Sequence, residues 1–249
     1  MRKPTISILT QKLFLLSCGS VSGNNPAHIE TARSLAHEFH KNNVQLVYGG
    51  GTSGLMGELA RTLVTLSGPK AVHGVIPRAL VKVEPGYENG SSNGDKQPPA
   101  SSSASTSAAG KTAERIIRDP EVLGESDFGT TTVVPDMHTR KRLRAAKVQE
   151  GGPGSGFVAL AGGFATIEEV MEMTTWNQLG IHHLGVVLLN VSGYWDGLLT
   201  WVRKAVEDGY ISPANGHILV EAKDVADVWP RLVEYKVSSA RMKLNWGEE

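Results

Sequence analysis

The sequence predicts a single α/β domain built on a doubly wound parallel sheet with helices on both faces. Short apolar runs alternate with segments of helical periodicity through most of the 249 residues, which is the order of elements that βαβ units produce. Several runs are apolar throughout, as parallel strands buried on both faces are. About 40% of the residues are hydrophobic, enough for one core of this size. We therefore expect a Rossmann-like domain of about seven strands over residues 1–249.

Several short runs are strand candidates because they are apolar and bounded by turn residues. They cover residues 13–18, 45–48, 71–76, 130–134, 157–160, 185–189 and 218–220. Between them, apolar side chains recur at helical spacing, and Asp224 is the expected N-cap of a last helix. The predicted buried faces are Ile29, Ala32, Ala36 and Phe39 in the first helix, Leu55, Leu59, Leu63 and Leu66 in the second, and Val225, Val228, Leu232 and Tyr235 in the last.

One segment departs from this pattern. Residues 88–109 read ENGSSNGDKQPPASSSASTSAA, in which the only hydrophobic residues are alanines. Such a composition buries too little apolar surface to offset the entropy of ordering the chain. Core-like sequence resumes after it, so we expect a mobile surface loop inserted at about residues 88–110 within one domain.

Charge and composition exclude several classes of partner. Lys plus Arg and Asp plus Glu each number 25, whereas binders of nucleic acid and anionic membranes need a net basic surface. No run reaches the roughly 18 apolar residues of a membrane span. The single cysteine, Cys18, allows no internal disulfide, which fits a reducing compartment. We therefore expect a cytoplasmic protein without nucleic-acid or membrane partners.

The sequence offers no metal or redox site. The eight histidines lack partners at metal-ligand spacing, and His182 and His183 are adjacent, so their side chains diverge. Cys18 has no evident base and is expected to be a small buried residue at a strand end. We expect neither a metal ion nor another cofactor.

The first glycine cluster, VYGGGTSGLMGEL, follows a predicted strand and opens a helix. Glycines at such a turn let backbone N–H groups approach an anion at the positive end of the helix dipole. The cluster satisfies GxGxxG, but it follows the second strand, and no ribose-binding carboxylate lies about 20 residues further on. We favour a phosphate or nucleotide cradle over a dinucleotide site, and tight packing remains the alternative. The residues concerned are Gly49, Gly50, Gly51 and Thr52.

The second cluster, LAGGFATIEEVMEMTTWNQLGIH, again joins a strand to a helix through glycines. Gly162, Gly163 and the Thr166 hydroxyl are candidate phosphate donors. Glu169 follows them, and a carboxylate beside a phosphate cradle indicates chemistry; the alternative is that acidic residues simply favour a helix N-terminus. The predicted buried face of this helix is Ile167, Val170, Met171 and Thr174, with Glu169, Glu172 and Trp176 on another face.

Between the two clusters, PDMHTRKRLRAAK predicts a basic helix. Such a run is usually a solvated face. Only Arg140 or Lys141, near the helix start, is expected to reach a site at the strand ends.

Two of these motifs together resemble a known family. MHTRK at 137–141 and AGGFATIEE at 161–169 are similar to the paired signature MHxRK and PGGxGTxxE of the LONELY GUY family of cytokinin-activating phosphoribohydrolases. The likeness extends to SCGSVSGN, VYGGGTSGLMG, TTWNQLGIH and VVLLNVSGYWDGLL. It therefore covers nearly the whole chain apart from the Ser-rich stretch.

The resemblance implies that the chain hydrolyses the N-glycosidic bond of cytokinin riboside 5′-monophosphates, giving free base and ribose 5-phosphate. It assigns Arg140 and Glu169 as the catalytic pair, with Arg140 orienting Glu169 and countering substrate charge. It also implies a homodimer with a small-molecule nucleotide as substrate. The implied substrate and phosphate contacts are Ser20, Gly49, Gly50, Gly51, Thr52, Met137, Lys141, Gly162, Gly163, Ala165, Thr166, Glu172 and Thr175.

Two positions depart from the family pattern. Ala161 replaces the motif proline, and Ala165 replaces its last glycine. If position 165 required a left-handed backbone, alanine there would cost about 1–2 kcal/mol and weaken phosphate binding. The alternatives are therefore a general purine nucleotide nucleosidase and a non-catalytic nucleotide-binding protein. A pyridoxal-dependent decarboxylase is disfavoured because nothing resembles a cofactor lysine with its supporting site.

Overall fold

The computed structural model describes residues 11–85, 87 and 121–246. Residues 88–110, where we predicted an insertion, lie outside this part. The strands are β1 (Lys12–Ser17), β2 (Val44–Tyr48), β3 (Val72–Pro77), β4 (Glu121–Ser126), β5 (Gly129–Val134), β6 (Gly156–Ala159), β7 (Gly185–Leu189) and β8 (Leu219–Ala222). The α-helices are α1 (Ala27–Lys41), α2 (Gly54–Ser67), α3 (Arg78–Val81), α4 (Met137–Gln149), α5 (Phe164–Leu179), α6 (Asp196–Glu207) and α7 (Val225–Val233).

The strands form one sheet in the order β4-β5-β3-β2-β1-β6-β7-β8. Every neighbouring pair is parallel except β4 and β5, so the predicted doubly wound α/β class is confirmed. The described residues hold eight strands, one more than the seven runs predicted. We missed β4 because it is an exposed edge strand of mixed polarity, joined to β5 through Asp127 and Phe128, and it has no continuous apolar run.

The strand order places a crevice beside β1. From β1 the chain moves outward through β2 and β3 to β5, and it then returns to β6 on the other side of β1. The connections after β1 and β6 therefore leave in opposite directions. Ligands of open α/β sheets bind at this kind of switch point, outside the carboxyl ends of the strands.

Two apolar layers cover the sheet. Phe14 and Leu16 of β1 face one layer, which α1, α2 and α7 complete, whereas Leu15 faces the layer beneath α4, α5 and α6. This alternation follows from the two-residue period of a strand. The predicted faces of α1 and α2 are largely buried. Helix α7 ends at Val233, so Tyr235 lies beyond the helix to which we had assigned it.

The predicted buried face of α5 was correct for Val170 and wrong for Ile167, which is exposed, while Met171 and Thr174 are only half-buried. Its buried residues are Thr166, Glu169, Val170, Met173 and Asn177, while Ile167 is 40% exposed. The inward face carries polar groups that find partners inside the protein; for example, Asn177 Nδ2 donates to Leu184 O at 2.9 Å. Among the described residues, no helix has the combination of length and apolarity that crossing a membrane requires.

Candidate functional site

A cleft of about 480 Å³ opens at the carboxyl ends of the central strands. It lies between the end of β1, the turn after β2, the first turn of α4 and the N-terminal half of α5, at the switch point of the sheet. Several predicted site residues line it together: Ser20, Gly49, Gly51, Met137, Arg140, Gly163, Ala165, Thr166 and Glu169.

The other predicted contacts lie beside the cleft. Lys141 forms ion pairs with Glu168 and, at 3.2 Å, with Glu172, and so links α4 to α5. Thr175 is exposed further along α5. The remaining three, Gly50, Thr52 and Gly162, belong to the two glycine turns.

Glu169 is a buried carboxylate that faces the cleft. It is only 9% exposed, and both of its oxygens accept hydrogen bonds, Oε2 from Ser17 Oγ at 2.7 Å and Oε1 from Arg144 Nη1 at 2.6 Å. Burial by itself would raise the pKa of Glu169. The charges of Arg144 and Arg140 and these hydrogen bonds outweigh burial and lower the pKa below its ordinary value. Glu169 is therefore ionised at neutral pH.

Like Ser17, Arg144 is a contact of Glu169 that the sequence analysis did not predict. It is 2% exposed, and its Nη2 donates to Leu16 O at 2.7 Å while Nη1 binds Glu169. We had treated the basic run as a solvated face with only its start near the site, and we had expected Arg140 to orient Glu169. The contact belongs to Arg144 instead. A usable signal was the spacing, because residues i and i+4 of a helix share a face, so Arg144 lies on the face of α4 that carries Arg140.

Arg140 is buried without a carboxylate partner. Its Nε donates to Val75 O at 3.1 Å and its Nη2 to Gly49 O at 3.0 Å, and no ion pair involves it in the described part of the chain. Burial and the neighbouring Arg144 lower the pKa of Arg140 to about 10, against the opposing charges of Glu169 and Glu84. The guanidinium stays charged at neutral pH and is available to an anion in the cleft.

The first glycine turn requires glycine at specific positions. A Cβ on Gly49 would lie 1.8 Å from Arg140 Nη2. Gly50 has a φ of +75°, and a Cβ on it would lie 3.0 Å from Ile76 Cβ. The carbonyl of Gly50 accepts from Tyr87 Oη at 2.7 Å. Thr52 does not point its donors into the open cleft, because its N–H and hydroxyl both donate to Glu84 Oε2 at 3.1 Å.

The second glycine turn leads into the N-terminus of α5. Gly162 must be glycine because a Cβ there would lie 2.0 Å from Thr166 Oγ1, and its carbonyl accepts from Tyr194 Oη at 2.5 Å. Ala165 lies inside α5 and is not among the described residues with positive φ. The strain considered for alanine at this position therefore does not arise. The first N–H groups of a helix lack intrahelical partners and attract anions.

Cys18 and His182 belong to residue types that often take part in catalysis, but both are buried here. Cys18 is buried at the end of β1, and burial together with the nearby Glu169 raises the pKa of its thiol, so it is not a thiolate nucleophile. His182 Nε2 lies 2.7 Å from Met173 O, and burial lowers its pKa to about 4. In the described residues, no three His, Cys, Asp or Glu side chains cluster as a metal site would need.

Known proteins match this chain in sequence and in fold. A family model described as "Possible lysine decarboxylase" matches residues 56–232. The chain is 44% identical over 228 residues to a "Bifunctional cytokinin biosynthesis protein" of Fusarium pseudograminearum, a match that covers 92% of this chain and 41% of that protein. The chain thus spans less than half the length of that relative.

Two plant relatives match over most of both chains. A "Probable cytokinin riboside 5'-monophosphate phosphoribohydrolase LOGL3" of Oryza sativa subsp. japonica is 36% identical over 231 residues, covering 92% of this chain and 88% of its own. The "Cytokinin riboside 5'-monophosphate phosphoribohydrolase LOG7" of Arabidopsis thaliana is 34% identical over 239 residues, covering 95% and 89%.

Solved structures share the fold at low sequence identity. The molybdenum cofactor carrier protein of Chlamydomonas reinhardtii superposes with a TM-score of 0.50 at 14% identity, over 88% of this chain and 94% of its own. A molybdenum cofactor binding protein of Rippkaea orientalis gives the same score and identity, over 89% and 94%. At this identity the likeness shows the fold alone.

Proposed function

The chain belongs to the family that the possible lysine decarboxylase model describes and that includes the LOG phosphoribohydrolases, and we propose that it hydrolyses cytokinin riboside 5′-monophosphates to free base and ribose 5-phosphate. The observation that carries the proposal is the buried, ionised Glu169 in a cleft that Arg140 also lines, where Arg140 pairs with no carboxylate of the described residues. A nucleotide supplies a phosphate as the anion for Arg140 and a cleavable glycosidic bond for Glu169.

We place the 5′-phosphate at the N-terminus of α5, near Gly163 and Ala165. Both residues line the cleft, and the helix dipole favours an anion there. Glu169 lies four residues after Ala165, about 6 Å along the helix axis. The 5′-phosphate and C1′ of a nucleotide are separated by a similar distance, so a phosphate held at the helix start sets the anomeric carbon beside the carboxylate. Arg140 then balances the charge of the phosphate.

The proposed reaction breaks the bond between C1′ and the base nitrogen. As this bond lengthens, positive charge develops on the ribose ring, and the Glu169 carboxylate stabilises it. A water molecule bonds to C1′ and gives its proton to Glu169. The departing base keeps the bonding electron pair and takes up one proton from solvent, and Glu169 releases to solvent the proton that it accepted. The sum is nucleotide plus water giving base plus ribose 5-phosphate.

Nothing in the cleft supports the decarboxylase description. A pyridoxal-dependent enzyme needs a lysine for its Schiff base, and no lysine lines the cleft among the described residues. Lys141, the nearest lysine of the motifs, is held in ion pairs with α5.

We further propose that the enzyme is a cytoplasmic homodimer that needs no metal ion, since Glu169 and Arg140 supply the charges that the reaction uses. An apolar surface at the end of α5 supports an interface between copies. There, Met242 N donates to Gln178 O at 2.9 Å and Trp246 Nε1 to Leu179 O at 3.0 Å, while the side chains of Met242, Leu244 and Trp246 are about half exposed.

The test compares three substrates with the purified full chain. Isopentenyladenosine monophosphate, adenosine monophosphate and isopentenyladenosine without phosphate are each incubated with the protein, with and without EDTA, and free base is measured by chromatography. We expect release from the prenylated nucleotide, unaffected by EDTA, and little from the nucleoside. Equal rates with plain adenosine monophosphate indicate a general purine nucleosidase, and saturable binding without turnover indicates a binding protein.

A further inference from the structure

A network of three buried side chains connects β1, α4 and α5 behind the cleft. Ser17 Oγ donates to one oxygen of Glu169 and Arg144 Nη1 to the other, and Arg144 Nη2 is itself fixed on Leu16 O. Ser17 and Arg144 are 6% and 2% exposed. We refer to Ser17 and Arg144 together as the carboxylate clamp.

The clamp restricts Glu169 more than a single ion pair would. A carboxylate rotates about its last side-chain bond when one oxygen is held, but two donors approaching from different elements fix both oxygens at once. An ionised carboxylate has about four lone-pair sites, so each clamped oxygen keeps one acceptor position. These free positions are the ones that a substrate or water in the cleft can use.

Arg140 does not share this role. Its guanidinium is bound to the backbone carbonyls of Val75 and Gly49, and it acts on Glu169 only through its charge. The two buried guanidinium groups of α4 therefore have different roles: Arg144 binds the carboxylate, and Arg140 is left for an anion.

We propose that Ser17 and Arg144 are positioning residues that hold the Glu169 carboxylate ionised and oriented toward the ribose, without touching substrate themselves. This inference rests on the proposed function for its catalytic readout. It gives a role to the buried Arg144, which the pairing of Arg140 with Glu169 leaves unexplained.

The surroundings of Glu169 predict what loss of the clamp does. The charged and titratable groups that face it are Arg140 and Arg144 from α4 and Cys18, the residue after β1. Lys141 and Glu172 border a small cavity beside it. Burial raises the pKa of Glu169, and the positive charges oppose that effect. Without Arg144 the largest opposing charge is gone, so the pKa of Glu169 rises and the protonated form extends to higher pH.

The experiment measures kcat and KM for isopentenyladenosine monophosphate across about pH 4 to 9 in Arg144→Met, Arg144→Lys and Ser17→Ala. Arg142→Met is the matched control, because it removes the same charge from an exposed position on the same helix. In Arg144→Met we expect kcat at neutral pH to fall about 100-fold, KM to change little, and the acidic limb to move up by about one pH unit or more. Arg144→Lys keeps the charge and recovers part of kcat, Ser17→Ala shifts the limb less, and Arg142→Met behaves as the wild type.

A wild-type pH profile in folded Arg144→Met overturns the proposal. So does a loss of kcat without any movement of the acidic limb, which is the behaviour of a merely structural residue. If melting curves show that Arg144→Met does not fold, Ser17→Ala decides, because it removes one hydrogen bond only, and an unmoved limb in this variant also overturns the proposal.

A second readout separates this inference from the proposed function. If the wild type releases no base from any nucleotide, the proposed function fails, and the clamp is tested by nuclear magnetic resonance titration of the Glu169 carboxyl carbon, assigned with Glu169→Gln. A lower pKa in the wild type than in Ser17→Ala and Arg144→Met supports the clamp. Equal pKa values contradict it.

Discussion

Gly49→Ala tests the placement of Arg140 without changing any charge. The new Cβ would lie 1.8 Å from Arg140 Nη2 and 3.3 Å from Met56 Sδ. Non-bonded carbon contacts settle at about 3.5–4.0 Å, so the guanidinium must move by roughly 2 Å. That movement breaks its hydrogen bond to Gly49 O, and a bond from a charged donor contributes about 1.5–3 kcal/mol.

The expected result is a loss of both catalysis and stability. Misplacing a group by about 1 Å costs on the order of 100-fold in rate, so we expect kcat/KM for base release to fall by about that factor, while urea unfolding shows a loss of about 1–3 kcal/mol. Gly197→Ala is the control, because a Cβ there meets nothing within 4 Å. If Gly49→Ala retains wild-type kcat/KM, Arg140 does not act from the position described.

Four further predictions concern the cleft, the buried cysteine and the buried histidines. Phe164 is 95% exposed and lines the cleft, where it can stack on the base. Because stacking contributes about 1–3 kcal/mol, Phe164→Ala should raise KM at least about fivefold. An unchanged KM excludes the stacking. Tyr194→Phe removes the donor to Gly162 O and should weaken competitive inhibition by ribose 5-phosphate, whereas unaltered inhibition argues against phosphate at that turn. Because burial and Glu169 raise the pKa of Cys18, the native protein should resist iodoacetamide at pH 8; rapid alkylation that abolishes activity would contradict this. Burial chiefly lowers the pKa values of His73 and His182 to about 4, so both are neutral in the folded protein above that pH. In the unfolded chain the same two histidines take up protons below about pH 6.5. The free energy of unfolding should therefore fall by about 1–2 kcal/mol per histidine between pH 6.5 and 5, and a flat profile in urea titrations would show that neither is buried as described.

Much of the fold was predictable because its signals are local. Apolar runs such as Gly185–Leu189 mark buried parallel strands, and β7 has those same bounds. Glycines after β2 and β6 mark turns where backbone and side chains approach closely, as the contact between Gly49 and Arg140 shows. The family resemblance paired Arg140 with Glu169, and both line one cleft at the carboxyl ends of the strands.

Other parts depend on packing that no local pattern records. The inward face of α5 carries Thr166, Glu169 and Asn177, and a search for apolar periodicity looks for the opposite pattern, so it selected Ile167. The helix spacing places Arg144 on the same face as Arg140, but only the position of α4 against β1 shows that its guanidinium reaches Leu16 O. The edge strand β4 is held by pairing with β5 rather than by apolar burial.

The most direct test of the account compares the wild type with Glu169→Gln on isopentenyladenosine monophosphate. The carboxamide keeps the size of the side chain but removes its charge and its capacity to take a proton. Free base and ribose 5-phosphate are measured by mass spectrometry, and binding of adenosine monophosphate is measured in parallel. The account predicts equal amounts of the two products from the wild type, and a rate at least about 100-fold lower in Glu169→Gln with nucleotide binding retained. Equal rates from the two proteins, or no product from the wild type, would contradict it.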